Sequence, residues 1–175
     1  MEVIGPGAKQ NTRKKEWAWV LLVLGLFVLG GLSIRAQSAD NVAYPSGYRR
    51  WTLVKTVLIG TQSPAFKDSG GIHHIYANEK SMEGYATGKF PDGAIFVFDL
   101  LEAKEKDGVT GEGSRKRIDV MVKDSKRYAA SGGWGFERFL GDTRTAALNE
   151  ENRKICVTCH EQRKEHGMVF SEYRE

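Results

Sequence analysis

The chain has 175 residues, enough for one globular domain once a short N-terminal segment is set aside. Residues 1–36 hold five of the 26 Lys and Arg and two of the 22 Asp and Glu, so that residues 37–175 carry only +1 of the total net charge of +4. A nearly neutral domain argues against nucleic-acid binding, because that function needs a basic surface.

The N-terminal segment has the pattern of a sequence that directs export across a membrane. Four basic residues between positions 9 and 15 precede an uncharged run from Trp17 to Ile34. As a helix, these 18 residues span about 27 Å, which is just enough to cross a bilayer. Small residues that follow Arg35 also permit cleavage. We expect a signal peptide or an N-terminal membrane anchor over residues 1–36.

The same pattern predicts how the rest of the chain is organised. Residues 37–46 are polar and contain Pro45, which is typical of a linker, and residues 47–175 form the functional domain. Because the basic cluster stays on the inner side of the membrane, we expect this domain in the periplasm. It is either soluble after cleavage or tethered to the inner membrane through residues 17–34.

Runs rich in β-branched and aromatic residues predict five strands. They cover residues 51–59, 72–78, 94–101, 117–122 and 134–140. We expect them to form a meander. The predicted fold class is mainly β (α+β), an antiparallel sheet of about five strands with short flanking helices, preceded by the apolar N-terminal helix.

The segments between the strands are predicted from their turn and capping residues. Asn78 is placed to cap a short helix over residues 79–86, which Gly88 ends. Residues 104–116 are charged and rich in glycine, so we expect an exposed loop. Residues 143–154 are polar and are expected to form a short helix or loop.

Residues 156–160 read Cys-Val-Thr-Cys-His, the Cys-x-x-Cys-His pattern of a covalent haem attachment site. Two thiols three positions apart reach the two vinyl groups on one edge of the porphyrin and form thioethers. The histidine that follows is thereby brought under the iron as its fifth ligand. The pattern predicts one haem c, held by Cys156 and Cys159, with Nε2 of His160 as the iron ligand.

Three other interpretations of the motif stay open. The two cysteines, which are the only ones in the chain, could form a disulfide or a redox-active dithiol. A redox dithiol of this type normally follows the first strand of a βαβ unit, whereas this one comes late in the chain. A zinc site could use Cys156, Cys159, His160 and His166, but structural zinc ligands usually come as two separated pairs.

The position of the motif favours an iron with an open sixth position. Only 15 residues follow His160, and Met168 lies on a segment tethered to the same side of the haem. A methionine there reaches the opposite face poorly, so a sixth ligand would have to come from residues before 156. An open position suits small-ligand binding or catalysis rather than electron transfer alone.

Several short motifs occur together in the order that one protein family has them. They are Tyr-Pro-Ser-Gly-Tyr-Arg-Arg-Trp (44–51), Ile-Tyr-Ala-Asn (75–78), Gly-Lys-Phe-Pro-Asp-Gly (88–93), Val-Met-Val-Lys-Asp-Ser-Lys (120–126), Gly-Gly-Trp-Gly-Phe (132–136), the haem motif and Met-Val-Phe-Ser (168–171). From Tyr44 to Tyr173 the chain resembles the cytochrome P-460 family, which includes the β-sheet cytochromes c′ (cytochromes c′-beta). The resemblance implies a mainly antiparallel β domain, usually a homodimer, with one c-type haem at its edge.

One departure from the family pattern places the chain nearer to the c′-beta branch. In the hydroxylamine-oxidising branch, a lysine on the strand after the Phe-x-Asp-Gly turn is cross-linked to the haem, and the aligned position here is Phe98. A phenyl ring has no amine, so we expect no cross-link. Lys89 and Lys104 are out of register, and no counterpart of the family's distal carboxylate is assigned.

Side chains on the predicted strands are candidates for the distal side of the haem. Phe96 and Phe98 share one strand face, where one or both either cap the open iron or belong to the core. His74 is either a distal hydrogen-bonding group or sixth ligand, or a histidine without such a role. Met82 and Met121 are weaker candidates for a sixth ligand. The arginines that could pair with haem propionates are Arg49, Arg50, Arg127 and Arg138.

The sequence leaves two main functional hypotheses. The first is a binding protein whose open iron takes up NO or CO under an aromatic cap. The second is a haem redox enzyme or electron-transfer subunit acting on hydroxylamine or NO, with a plain electron carrier as a weaker third. Phe98 in place of lysine favours the first. The expected partners are a small gaseous or nitrogenous ligand and a second copy of the chain.

Overall fold

The computed structural model describes Met1 and residues 41–174. The predicted leader, its apolar run from Trp17 to Ile34 and most of the predicted linker lie outside the described residues. Within the part that is described, no helix is long and apolar enough to span a membrane.

The domain is built on one antiparallel sheet whose five strands follow one another in sequence order. The strands are β1 (Thr52–Ile59), β2 (Gly71–Ala77), β3 (Ile95–Lys106), β4 (Val109–Lys123) and β5 (Trp134–Leu140). The described residues also form helices α1 (Phe66–Ser69), α2 (Glu79–Thr87) and α3 (Glu150–Glu161), with 3-10 turns at Tyr48–Arg50, Ala129–Ser131 and Lys164–His166. The predicted meander and the mainly β fold class are confirmed.

The capping prediction for the first long helix is also confirmed. The side chain of Asn78 accepts a hydrogen bond from the backbone N–H of Ser81 at 3.0 Å, which satisfies one of the free donors at the start of α2. At the other end, Gly88 adopts a left-handed conformation with φ of 73°, which a residue without Cβ reaches at little cost.

The predicted exposed loop over residues 104–116 is wrong. Strands β3 and β4 continue through this segment and meet at a two-residue turn, Asp107–Gly108, where both residues have positive φ (54° and 77°). Such a turn matches the right-handed twist of a hairpin, and Asp-Gly is among its preferred sequences. The segment is charged because both faces of this hairpin are exposed, rather than because it lacks secondary structure.

The predicted short helix or loop over residues 143–154 also needs correction. Asn149 caps α3 by accepting a hydrogen bond from the N–H of Asn152 at 2.8 Å, and the helix then runs on to Glu161. The Cys-x-x-Cys-His motif therefore lies in the last turns of α3 instead of following a separate helix.

The two faces of the sheet are covered by different parts of the chain. Four register partners, Ala77, Phe96, Met121 and Phe136, lie side by side on one face. They belong to a core that also includes side chains from α2, α3 and the C-terminal segment. We call this face the motif face, because Cys156 packs against its core.

The opposite face, which we call the back face, is covered by residues that precede β1. Its core contains Tyr76, Val97 and Val120 from the strands together with Val42 and Tyr48 from the N-terminal side of the domain. Because side chains alternate along a strand, each strand residue points either toward the core that contains Cys156 or toward this one.

A buried carboxylate, that of Asp99, joins the elements on the back face. It is fully buried and accepts hydrogen bonds from the Tyr48 hydroxyl at 2.6 Å, from Arg49 Nε at 3.0 Å and from Arg115 Nε at 2.7 Å. Burial alone would raise the pKa of this carboxyl, but the hydrogen bonds from Arg115 and Tyr48 hold the pKa below its usual value. Since Asp99 follows Phe98, this network fixes Phe98 on the motif face.

Replacing Asp99 by Asn should lower the free energy of unfolding by about 3 kcal/mol, because Arg115 loses its charged partner inside the fold. The pKa of Asp99 is lower in the folded than in the unfolded state. Its contribution is therefore complete above the ordinary Asp pKa of about 3.9 and is lost as the pH falls through the folded value. Denaturant unfolding of both proteins should show a difference that shrinks on acidification.

The matched control is Glu112→Gln in the same network. Glu112 is 43% exposed, so its loss should change the free energy of unfolding by less than about 0.5 kcal/mol. An Asp99→Asn protein as stable as the control at neutral pH would show that the network does not hold the strands.

Candidate haem site

The two cysteines of the motif are presented by one helix. Cys156 and Cys159 are both free thiols, the first half-buried and the second exposed. They lie three residues apart on α3 and therefore share one side of it. Burial raises the pKa of the Cys156 thiol, and the nearby Asp119 carboxylate adds to this effect. The site thus offers two separate sulfur nucleophiles at one helix surface, with no disulfide between them.

His160 is held in the tautomer that leaves Nε2 free for a metal. Its Nδ1 lies 2.7 Å from the backbone carbonyl oxygen of Met168. A carbonyl only accepts, so Nδ1 carries the hydrogen and Nε2 keeps its lone pair; metal-binding histidines are usually oriented in this way. Burial lowers the pKa of His160, which favours the neutral, ligand-competent ring.

The C-terminal segment folds back to place that carbonyl. The Trp134 indole N–H donates to the Gly167 carbonyl at 3.0 Å, and Met168 has a left-handed backbone with φ of 67°. The Met168 side chain is buried, with its sulfur packed over Gly132. The expectation that Met168 stays on the side of His160 agrees with this arrangement, in which it contributes a carbonyl rather than its thioether.

Two aromatic rings pack against the imidazole of His160. The Phe136 ring lies 4.9 Å from it and the Phe170 ring 5.1 Å from it, between ring centroids. Phe136 comes from β5, and Phe170 follows Met168 in the C-terminal segment. The ring plane of His160 is therefore set by contacts from the sheet and from the segment that also supplies its hydrogen-bond acceptor.

A row of side chains on the motif face is covered only in part. It crosses all five strands in register and consists of Lys55, Ile75, Phe98, Asp119 and Arg138. Lys55 is exposed and the other four are half-buried. We call these five residues the open row.

The rows on either side of the open row are buried at their centres. On one side Phe96 is buried, and its ring packs 6.1 Å from that of Trp134. On the other side His73 and Leu100 are fully buried, whereas Leu140, in the same row on β5, is 53% exposed. The open row is thus a partly uncovered strip of the motif face, and Cys156 of α3 lies near its Asp119–Arg138 end. Of the two phenylalanines considered from the sequence, Phe98 lies in this row and Phe96 lies in the core.

The orientation of Phe98 is set by a histidine that the sequence analysis did not single out. The His73 ring lies 4.4 Å from the Phe98 ring in an edge-to-face arrangement. Its Nε2 donates to the carbonyl oxygen of Ser69, in α1, at 2.5 Å, and burial lowers the pKa of His73. The alternation of β2 was the available signal, because His73 shares a face with Ile75.

His74, the histidine singled out from the sequence, lies on the back face. Its Nε2 is 2.7 Å from a carboxylate oxygen of Glu112 and its Nδ1 is 2.9 Å from the hydroxyl of Thr56. The structure therefore does not bring His74 together with His160. Met121 is also on the motif face, but it is buried beside Phe96, in the row that contains Ala77 and Phe136.

The charged end of the open row lies beside the motif helix. The Asp119 carboxylate accepts from Arg138 Nε at 2.5 Å, and both groups act electrostatically on the Cys156 thiol. Arg138 is thus placed next to the motif.

Two other arginines considered for haem propionates are on the back face. Arg49 binds Asp99, and Arg127 donates to the carbonyl oxygen of Asn41 at 2.9 Å.

The residues present fit a covalently held haem better than a zinc ion. Two thiols share one helix surface, and a neutral histidine presents Nε2. In the part of the chain that the structure describes, no three His, Cys, Asp or Glu side chains are grouped so as to hold a metal ion. The residues considered for zinc from the sequence are thus not arranged as a set of metal ligands in this part of the chain.

Comparison with known proteins gives one family. The family model described as Cytochrome P460 matches residues 45–171, which span the whole sheet, α3 and the segment that carries Met168. A search of curated proteins gives no match.

Proposed function

Because this chain belongs to the cytochrome P460 family and is therefore a haem cytochrome, we propose that it is an exported mono-haem c-type cytochrome that binds small uncharged ligands such as NO or CO. The family match supports the haem. The choice of ligand rests on one observation, the apolar centre of the open row on the motif face.

Four residues of the chain would hold the cofactor, two by covalent bonds, one by binding the iron and one by orienting that ligand. Cys156 and Cys159 would supply the sulfur atoms for two thioethers, and Nε2 of His160 would bind the iron. The Met168 carbonyl holds the imidazole in the required tautomer. When bound, the haem supplies an iron coordination position that diatomic ligands occupy.

The distal side is proposed to be formed by the centre of the open row. Ile75 and Phe98 are neighbours in register and both are half-buried. Neither side chain can coordinate a metal, donate a hydrogen bond or take up a proton. The His73 ring packs edge-to-face against the Phe98 ring and holds it in place. This arrangement supports an open sixth position under an aromatic cap.

The alternative, a redox enzyme acting on hydroxylamine, has one observation in its favour. Asp119 is the direct register neighbour of Phe98 and brings a carboxylate to the motif face. However, one of its oxygens accepts from Arg138 Nε and the other from Arg117 Nε. A carboxylate whose two oxygens are already bound by guanidinium groups is poorly placed to remove protons from a substrate.

Export and dimer formation are part of the same proposal. The basic cluster and the apolar run from Trp17 to Ile34 support transport to the periplasm, where the haem would be attached. The expected second copy of the chain rests on the family resemblance.

Attachment can be tested with the cysteine pair. The haem should stay with the polypeptide after acid–acetone extraction, and a Cys156→Ser, Cys159→Ser double variant should lose it because serine forms no thioether. Ile155→Ser is the matched control, since Ile155 is an exposed neighbour on α3. Extraction of all the haem from the unmodified protein would contradict covalent attachment.

The ligand preference can be tested at Phe98. Replacing Phe98 by Ala should speed CO and NO association roughly tenfold, the effect of removing a barrier of about 1.4 kcal/mol, and should admit water and anions to the ferric protein. Flash photolysis and anion titrations measure the two effects. Leu58→Ala is the matched control, because it removes an exposed apolar side chain from the back face of the same sheet.

Hydroxylamine turnover distinguishes the proposed ligand-binding function from the enzyme alternative, and Phe98 is the residue that bears on it. We expect slow or absent hydroxylamine oxidation, since general-base help typically contributes a factor of ~10²–10⁴ and Phe98 offers none. Phe98→Lys tests whether an amine at this position forms a haem cross-link. Brisk hydroxylamine oxidation by the unmodified protein would overturn the binding function and favour the enzyme.

A further inference from the structure

The charged end of the open row, together with the neighbouring Arg117, carries more positive than negative charge. Asp119 accepts from Arg117 Nε at 2.9 Å and from Arg138 Nε at 2.5 Å, so one carboxylate faces two guanidinium groups. All three side chains are largely buried, with 15%, 28% and 33% exposure for Arg117, Asp119 and Arg138. A surplus positive charge therefore lies at the edge of the proposed haem site.

The guanidinium of Arg117 is bound by other protein groups. One of its terminal nitrogens donates to the carbonyl oxygen of Asp68 at 2.7 Å, and the other donates to the Ser69 hydroxyl at 3.3 Å. These contacts hold α1 against the sheet. The guanidinium of Arg117 thus has partners for all three of its nitrogens and is not available to a ligand.

Arg138 differs from Arg117 in what its terminal nitrogens contact. Its Nε is bound by Asp119, which fixes the plane of the guanidinium. Among the described residues, no protein atom makes a hydrogen bond or ion pair with its two terminal nitrogens. The edge that carries those nitrogens presents two parallel N–H groups, which is the geometry that binds a planar oxyanion with two hydrogen bonds.

We propose that Arg138 is the receptor for a planar oxyanion at the edge of the haem site, either a carboxylate of the haem propionates or a soluble oxyanion such as nitrite. That this place is the edge of a haem rests on the proposed function, because it requires the motif to hold haem. Asp119 is the positioning residue, since it orients Arg138 without contacting the oxyanion. Both sources present the same chemistry, a pair of oxygens sharing one negative charge.

The test uses the haem-loaded protein with Arg138→Gln and Arg138→Lys. Lysine keeps the charge but cannot form two parallel hydrogen bonds, so it shows whether geometry matters even if the glutamine variant loads haem poorly. The matched control is Lys106→Gln, which removes one positive charge from the exposed end of the β3–β4 hairpin. Two quantities are measured, the midpoint potential in nitrite-free buffer and the affinity of the ferric protein for nitrite.

Each source of the oxyanion predicts its own result. If Arg138 holds a propionate, the glutamine variant should have a lower midpoint potential without nitrite, because an uncompensated propionate charge favours ferric iron. Loss of the Arg138 charge lowers the potential in both cases, so nitrite affinity separates the two sources. This affinity should stay at the wild-type value if Arg138 holds a propionate, and should fall roughly 10- to 100-fold if Arg138 holds a soluble oxyanion. In either case Arg138→Lys should show part of the effect and Lys106→Gln none.

Arg138 variants that match Lys106→Gln in both quantities would overturn this proposal. That outcome is distinguishable from failure of the proposed function. Loss of the haem on acid–acetone extraction, or a protein ligand at the sixth position, would be seen in the unmodified protein and does not depend on Arg138.

Discussion

The hydrogen bond from His160 Nδ1 to the Met168 carbonyl is the interaction on which the site depends. It joins the end of α3 to the C-terminal segment and leaves Nε2 as the free nitrogen. Met168 can offer its carbonyl because its side chain is buried and its backbone is left-handed. A change that releases this segment would free the imidazole to rotate and would weaken any metal bond that Nε2 makes.

The sheet gives its two faces separate roles. On the back face, Asp99 draws Tyr48 and Arg115 together and fixes the register of β3 against β4. The alternation of the same strand then points Phe98 to the motif face. A network on one side of the sheet thus determines that Phe98 lies in the open row on the other, through a strand register that is set away from the motif.

Much of the fold could be predicted from the sequence, because it depends on local patterns. The strand runs, the Asn78 cap and the haem motif each need only a few neighbouring residues. The continuation of β3 and β4 through residues 104–116 was missed because an exposed ribbon has the composition of a loop. The alternation of β2 shows that His73 and His74 lie on opposite faces, but the burial of His73 depends on its hydrogen bond to Ser69 in α1, which no local pattern shows.

The measurement that tests the central claim most directly is the spectrum of the ferrous protein with and without CO. The account places His160 on one side of the iron and the apolar side chains of the open row on the other. It predicts five-coordinate, high-spin ferrous haem at neutral pH and full conversion by CO. A low-spin ferrous spectrum that resists CO would contradict it, because a protein side chain would then occupy the position assigned to the ligand.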